Sequence, residues 1–144
     1  MRRQAITLSA LFLVSMLGCG STGTPPSTAP DADRKVAIND VGELLRTYQV
    51  STKKAPTKEK DLERFEMGAP SGFAAVKKKE IVVNWGATLP DLNEEPGKVQ
   101  SDEVLAYEKQ TPNSGGLVLT LDRRVKSMTA QEFKAAKKAG TSAP

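Results

Sequence analysis

Leu117-Val118-Leu119-Thr120-Leu121-Asp122-Arg123-Arg124-Val125-Lys126-Ser127-Met128-Thr129-Ala130-Gln131-Glu132-Phe133 is the stretch that decides the fold. Leu117, Leu119 and Leu121 alternate, so they fall on one face of a strand. Asp122-Arg123 is a tight connection, and Arg124 to Ser127 is short enough to return beside the first strand. Thr129-Ala130-Gln131-Glu132 is a capping box, in which the Thr hydroxyl accepts from the amide three residues on and the Glu carboxylate answers back. Met128 before the cap and Phe133 after it can staple together. Lys134, Lys137 and Lys138 suit the negative end of a helix, and Gly140 suits its stop. A hairpin followed by a helix over 129–139, with Phe133 and Ala136 turned to the sheet, is therefore expected.

Working back from the hairpin, Thr111-Pro112-Asn113-Ser114-Gly115-Gly116 is a turn and Glu103 to Lys109 a strand. Leu89 to Ser101 has two prolines, Gly97 and three acidic residues, which is a long loop. Ile81-Val82-Val83-Asn84-Trp85 is β-branched, ends at Gly86, and reads as a further strand. Gly68-Ala69-Pro70-Ser71-Gly72 reads as a loop. Lys58 to Glu66 is a short helix capped by Thr57, with Leu62 and Phe65 buried. Val41, Leu44, Leu45 and Tyr48 recur at i, i+3, i+4, i+7, which predicts a helix near 35–50 capped by Asn39 or Asp33 and weakened by Gly42. The sum is α+β: N-terminal helices, a small antiparallel sheet of three to four strands and a short C-terminal helix, in one domain over 35–140.

The beginning of the chain has a different character. Met1-Arg2-Arg3 is positive, and Ala5 to Leu17 is a run of 13 residues with 10 apolar and none charged. A membrane-crossing helix needs about 20 apolar residues, and the apolar core of a secretory signal about 7–15. The run ends at Gly18-Cys19-Gly20. Gly20 to Pro30 contains only Gly, Ser, Thr, Pro and Ala, a tether without the means to build a core. Extended, it reaches roughly 30–35 Å.

Composition narrows the chemistry. The 144 residues include no His and one Cys, which excludes Ser-His-Asp and Cys-His catalysis, His-containing zinc sites and an internal disulfide. The formal charge is +4, and removal of residues 1–18 takes Arg2 and Arg3 with it, leaving +2 on 126 residues. A nearly neutral exported protein is not expected to bind nucleic acid.

Two resemblances follow from these motifs. Met16-Leu17-Gly18-Cys19 resembles the lipobox of bacterial lipoproteins, with Met16 and Leu17 standing where Leu and a small residue are usual. The resemblance implies that residues 1–18 are a signal peptide and that Cys19 carries a diacylglycerol and becomes an acylated N-terminus. Residues 19–34 then form the lipidated Cys and its tether. Gly20 after the Cys implies sorting to the outer membrane, facing periplasm or surface. Residues 73–138 resemble small planctomycete-type lipoproteins with a pilin-like C-terminal domain. The likeness is carried by Val83 to Gly86, Val104-Leu105-Ala106-Tyr107-Glu108-Lys109, Gly115 to Leu119, Asp122, Val125 and Glu132-Phe133. It implies a pilin-like head. The departure is Asp122-Arg123 where that pattern has Asp-Gly. Arg resists positive φ, so a different turn is expected here.

Other sites are weighed against plainer readings. Asp91, Asn93 and Glu95 stand at positions 1, 3 and 5 of a calcium loop, but Pro96 and Asp102 occupy positions that need Gly and Glu. A solvated acidic loop is expected, and no metal or cofactor. Glu103, Glu108 and Asp122 read as surface carboxylates rather than an acid-base set. Trp85 and Tyr107 are candidate binding residues that also suit core or edge packing. Lys53, Lys54, Lys58, Lys60 and Lys77-Lys78-Lys79 read as solvated faces with a potential for anionic partners. The expected function is a membrane-anchored, non-enzymatic envelope lipoprotein with a structural or interaction role. Its partners would be the bilayer, through acylated Cys19, and an envelope protein or cell-wall polymer. The alternative is a binding module for an anionic glycan or peptide that uses Trp85, Tyr107 and the lysines.

Overall fold

The computed structural model describes residues 31–142. Cys19 and the signal and tether expected before Asp31 lie outside them. The order of elements is α1 (Asp31–Thr52), a 3-10 helix (Glu59–Gly68), α2 (Pro70–Lys77), β1 (Ile81–Trp85), β2 (Val104–Glu108), α3 (Thr111–Ser114), β3 (Gly116–Thr120), β4 (Val125–Met128), α4 (Ala130–Ala135) and β5 (Thr141–Ser142). The sheet runs β4-β3-β2-β1-β5 and every neighbouring pair is antiparallel. The mixed α+β architecture expected from the alternating and 3.6-period patterns is the one observed.

α1 buries Ile38, Val41, Leu44 and Leu45 and begins at Asp31, so Asp33 and Asn39 lie inside the helix and cap nothing. The last four residues assigned to the tether, 31–34, are thus helical. Gly42 is a contact point rather than a flaw: a Cβ there would sit 3.4 Å from Leu119 Cδ2 on β3. The segment expected to loop at 68–72 instead opens α2, with Pro70 at its first turn, where a missing N–H costs nothing. Gly72 is required there, because a Cβ would fall 2.6 Å from the backbone N of Val41. The short helix after Thr57 has 3-10 geometry, and Asp61 accepts from the Thr57 amide at 2.8 Å and from its hydroxyl at 3.1 Å. Those bonds, the backbone one first, hold the Asp61 carboxyl below its ordinary range.

The helices α1 and α2 and the 3-10 helix share one large core with the sheet, including Leu62, Phe73, Ile81, Val83, Leu105, Leu117 and Leu119. The other face is small: Val104, Val118 and Phe133 are buried, with Tyr107, Met128 and Ala136 packed around them. β2 serves both sides through a bulge, since Val104 pairs with Thr120 and Ala106 with the very next residue back, Leu119. Val104 faces α4, while Leu105 and Ala106 both join the large core.

The capping box of α4 forms as expected. Glu132 N donates to Thr129 Oγ1 at 3.2 Å, and Thr129 N donates to Glu132 Oε2 at 2.7 Å. The helix stops at Ala135, short of the expected 139, because Lys138 folds back and its ammonium donates to the carbonyls of Phe133 and Ala136. The chain beyond it pairs with two strands. Val104 N donates to Lys137 O at 2.8 Å and Ala139 N to Val104 O at 2.9 Å, before Thr141 pairs with Trp85. The expected turn at 111–116 contains the single-turn α3.

Candidate functional site

The polar side chains that folding has placed inside show what the interior is used for. Gln49 on α1 donates to Ala87 O at 3.2 Å and accepts from Leu89 N at 3.1 Å, stitching the start of the long loop to the helix. Asn84 donates to Val104 O at 2.7 Å, close to where the chain after α4 also bonds Val104. Among the described residues no buried side-chain nitrogen or oxygen lacks a partner.

Two arginines tie α1 to opposite ends of the sheet. At the end where α1 begins, Arg34 Nε donates to Glu108 Oε1 at 2.6 Å and Arg34 Nη2 donates to Oε2 of the same carboxylate. Oε2 also accepts from Leu117 N at 2.7 Å, so one carboxylate joins α1, β2 and β3. The hydrogen bond to Glu108 raises the Arg34 pKa further above its ordinary value. Glu108, expected as a surface carboxylate, is therefore a buried one with both oxygens hydrogen-bonded.

At the other end the hairpin turn carries Arg123. Arg123 N donates to Thr120 O at 2.8 Å and Thr120 N to Arg124 O at 2.9 Å, a three-residue loop whose last residue has φ +62°. This is the left-handed geometry that glycine favours, adopted here by Arg in a longer turn than the two-residue one, against the expectation that Arg would avoid it. The side chain explains it. Its guanidinium is buried, donating to Glu43 Oε1 on α1 at 2.8 Å and to the carbonyls of Asn93 and Glu95, with Asp91 Oδ1 3.7 Å away. Those bonds outweigh the roughly 1 kcal/mol that left-handed backbone costs a residue with a Cβ. The acidic loop thus wraps a guanidinium: the backbone carbonyls of Asn93 and Glu95 and the carboxylate of Asp91 converge on Arg123. Arg124 adds a bond to Gly97 O at 3.2 Å.

Asp122 is also buried rather than on the surface. It accepts from Thr120 Oγ1 and from Arg124 N. Glu108 and Asp122 belong to opposite ends of the sheet, as the Val104–Thr120 and Tyr107–Val118 pairings require, so the structure does not assemble a carboxylate set. An open polar depression of about 340 Å³ lies beside Asp122, lined by Gln100, Ser101, Asp102, Arg124 and Lys126. Lys126 bonds Asp102 there and, by that bond before the general attraction of the charges, keeps the Asp102 carboxyl ionised to lower pH than usual.

Trp85 and Tyr107 are not brought together. Trp85 packs against the large core, whereas the Tyr107 ring lies 4.6 Å from that of Phe133 on the opposite face. The lysine groups also part: Lys53, Lys54, Lys58 and Lys60 follow the C-terminus of α1, while Lys77 ends α2 and Lys78 and Lys79 lead from it to β1. Lys138 lies 4.1 Å from the Phe133 ring centroid, and burial lowers its pKa. The Arg34–Glu108 and Arg123–Glu43 pairs, 74 and 80 residues apart, carry no spacing signal that sequence reading could have used. Compared with protein-family models, with curated proteins and with solved structures, the chain matches none.

Proposed function

We propose that the protein is a lipid-anchored lipoprotein of the cell envelope, with a pilin-like head that serves a structural or interaction role rather than catalysis. One observation carries this reading: Cys19 stands directly after a 13-residue apolar run and before a segment of only Gly, Ser, Thr, Pro and Ala that leads to α1. Lipidation of that thiol accounts for a lone Cys in an exported chain, and more than one acyl chain makes the attachment stable. The organisation of the head supports a non-catalytic role. The carboxylates of Glu108 and Asp122 and the guanidinium of Arg123 are consumed in joining elements to one another. The test is the mass of the mature N-terminal peptide together with membrane fractionation of the Cys19→Ser chain. An acylated Cys19, and an unprocessed or soluble mutant, is the expected outcome. Normal processing and membrane retention of the mutant would overturn the proposal.

A further inference from the structure

Five lysines gather at one end of the domain although the sequence scatters them. Arg34, in the first turns of α1, bonds Glu108 at the end of β2. Lys109 follows Glu108, and its amide donates to Glu80 O at 2.9 Å. Glu80 follows Lys77-Lys78-Lys79, and Ile81 pairs with Glu108. Lys35 follows Arg34. Lys35, Lys77, Lys78, Lys79 and Lys109 are all exposed and none forms an ion pair among the described residues. Exposed carboxylates at this end are Asp31, already bonded by Arg34, and Glu132, bonded by Thr129, together with Asp33 and Glu80; against Arg34 and the five lysines, and with Glu108 counted, the end stays positive. The lysines at the far end differ: Lys58 and Lys60 are interleaved with Glu59, Asp61 and Glu63.

The lysine-rich end is the one at which residues 19–30 join α1. We infer that it docks on anionic phospholipid headgroups of the membrane that holds the protein, with the ammonium groups of Lys77, Lys78, Lys79, Lys109 and Lys35 as contacts. This rests on the anchor reading of Cys19. A tether of roughly 30–35 Å keeps these lysines within reach of the surface at all times, and a headgroup layer rich in phosphate attracts each of them. The acyl chains and the basic end are then two signals acting on one orientation.

The test uses the full chain, isolated with its native N-terminus and reconstituted into phosphatidylcholine vesicles with or without phosphatidylglycerol. A water-soluble amine-acylating reagent is applied and each lysine is read by peptide mass, with the Cys19 peptide measured in the same digest. The expected result is protection of Lys77, Lys78, Lys79 and Lys109 in the anionic vesicles, released by salt, with Lys53 and Lys54 reacting equally in both. Changing Lys78→Gln and Lys109→Gln should weaken the docked orientation by roughly fivefold each, since both side chains are exposed and unpaired. Equal reactivity of the basic end in the two kinds of vesicle, with Cys19 acylated, overturns docking and leaves the anchor standing. Protection of all lysines alike also overturns it. An unmodified Cys19 overturns the anchor reading, and docking with it.

Discussion

The two faces of the sheet are built to different scales. One is covered by α1, the 3-10 helix and α2, with eighteen buried residues in a continuous core. The other is closed by α4, six residues long, over three buried side chains. The large face draws its strength from apolar area, and each of its residues is one among many neighbours. The small face depends on Phe133, a capping box and a lysine that folds back on the helix. Where area is scarce, local hydrogen bonds and a single aromatic side chain settle whether an element stays in place.

The contrast is broken most directly with two phenylalanines. Phe73→Ala empties a fully buried site in the large core and is expected to cost about 3–5 kcal/mol. Phe133→Ala should cost about 3 kcal/mol, the low end of the same range, because the ring is slightly exposed and fewer residues surround it. Denaturant midpoints of the two variants decide it, and a Phe133→Ala loss equal to or above that of Phe73→Ala would end the idea of unequal faces.

Arg123 sharpens the account of the large face. Arg123→Ala removes the bonds to Glu43 and the loop carbonyls while keeping a Cβ at positive φ, and should cost about 2–3 kcal/mol. Arg123→Gly loses the same bonds but relieves the backbone, so it should be the milder change by about 1 kcal/mol. If the two melt alike, the turn carries no strain for the side chain to offset.

On the small face, Thr129→Ala should cost about 1 kcal/mol, the usual worth of a Thr cap. The Thr129 bonds, the backbone one first, hold the Glu132 carboxyl below its ordinary value. A depressed folded-state pKa stabilises α4 above the ordinary carboxylate range, and that contribution fades as pH falls through the folded value. Amide protection factors in α4, after correction for the intrinsic pH dependence of exchange, should therefore fall in acid in the parent, and a Glu132→Gln variant should show no such step. Lys137→Ala, on the exposed side, should shift the melting midpoint within about 0.5 kcal/mol, which calorimetry can confirm.

Elements with local causes were legible in the sequence. The Thr129–Glu132 box, the β-branched run before Gly86 and the i, i+3, i+4, i+7 face of α1 all stood where they were expected. Start and stop points that depend on distant partners were not. α2 was hidden because Gly68, Pro70 and Gly72 together resemble a loop, although Pro70 marks a first turn and Gly72 is demanded by the backbone of α1. α4 is shorter than its composition allows, since Lys138 folds back onto its last carbonyls and the chain then runs on to bond Val104. Arg123 misled most: its backbone preference argues against the conformation that its side chain secures against Glu43 and the loop. The candidate aromatic site dissolved for a similar reason. Alternation puts Trp85 and Tyr107 on strands, but only the pairing of those strands and the bulge in β2 decide that they face opposite ways.

The pairing of Trp85 with Thr141 has a consequence for folding speed. β1 and β5 lie far apart in the chain, so this rung and the Val104 bonds to Lys137 and Ala139 are contacts that close large loops. Loops of that size must be closed before their contacts reward them, which slows the search for the native state. The helices at the start of the domain can gather quickly through local contacts, yet the sheet they rest on stays unfinished until its last segment arrives. A refolding experiment should accordingly show helical signal gained ahead of the near-ultraviolet signature of Trp85.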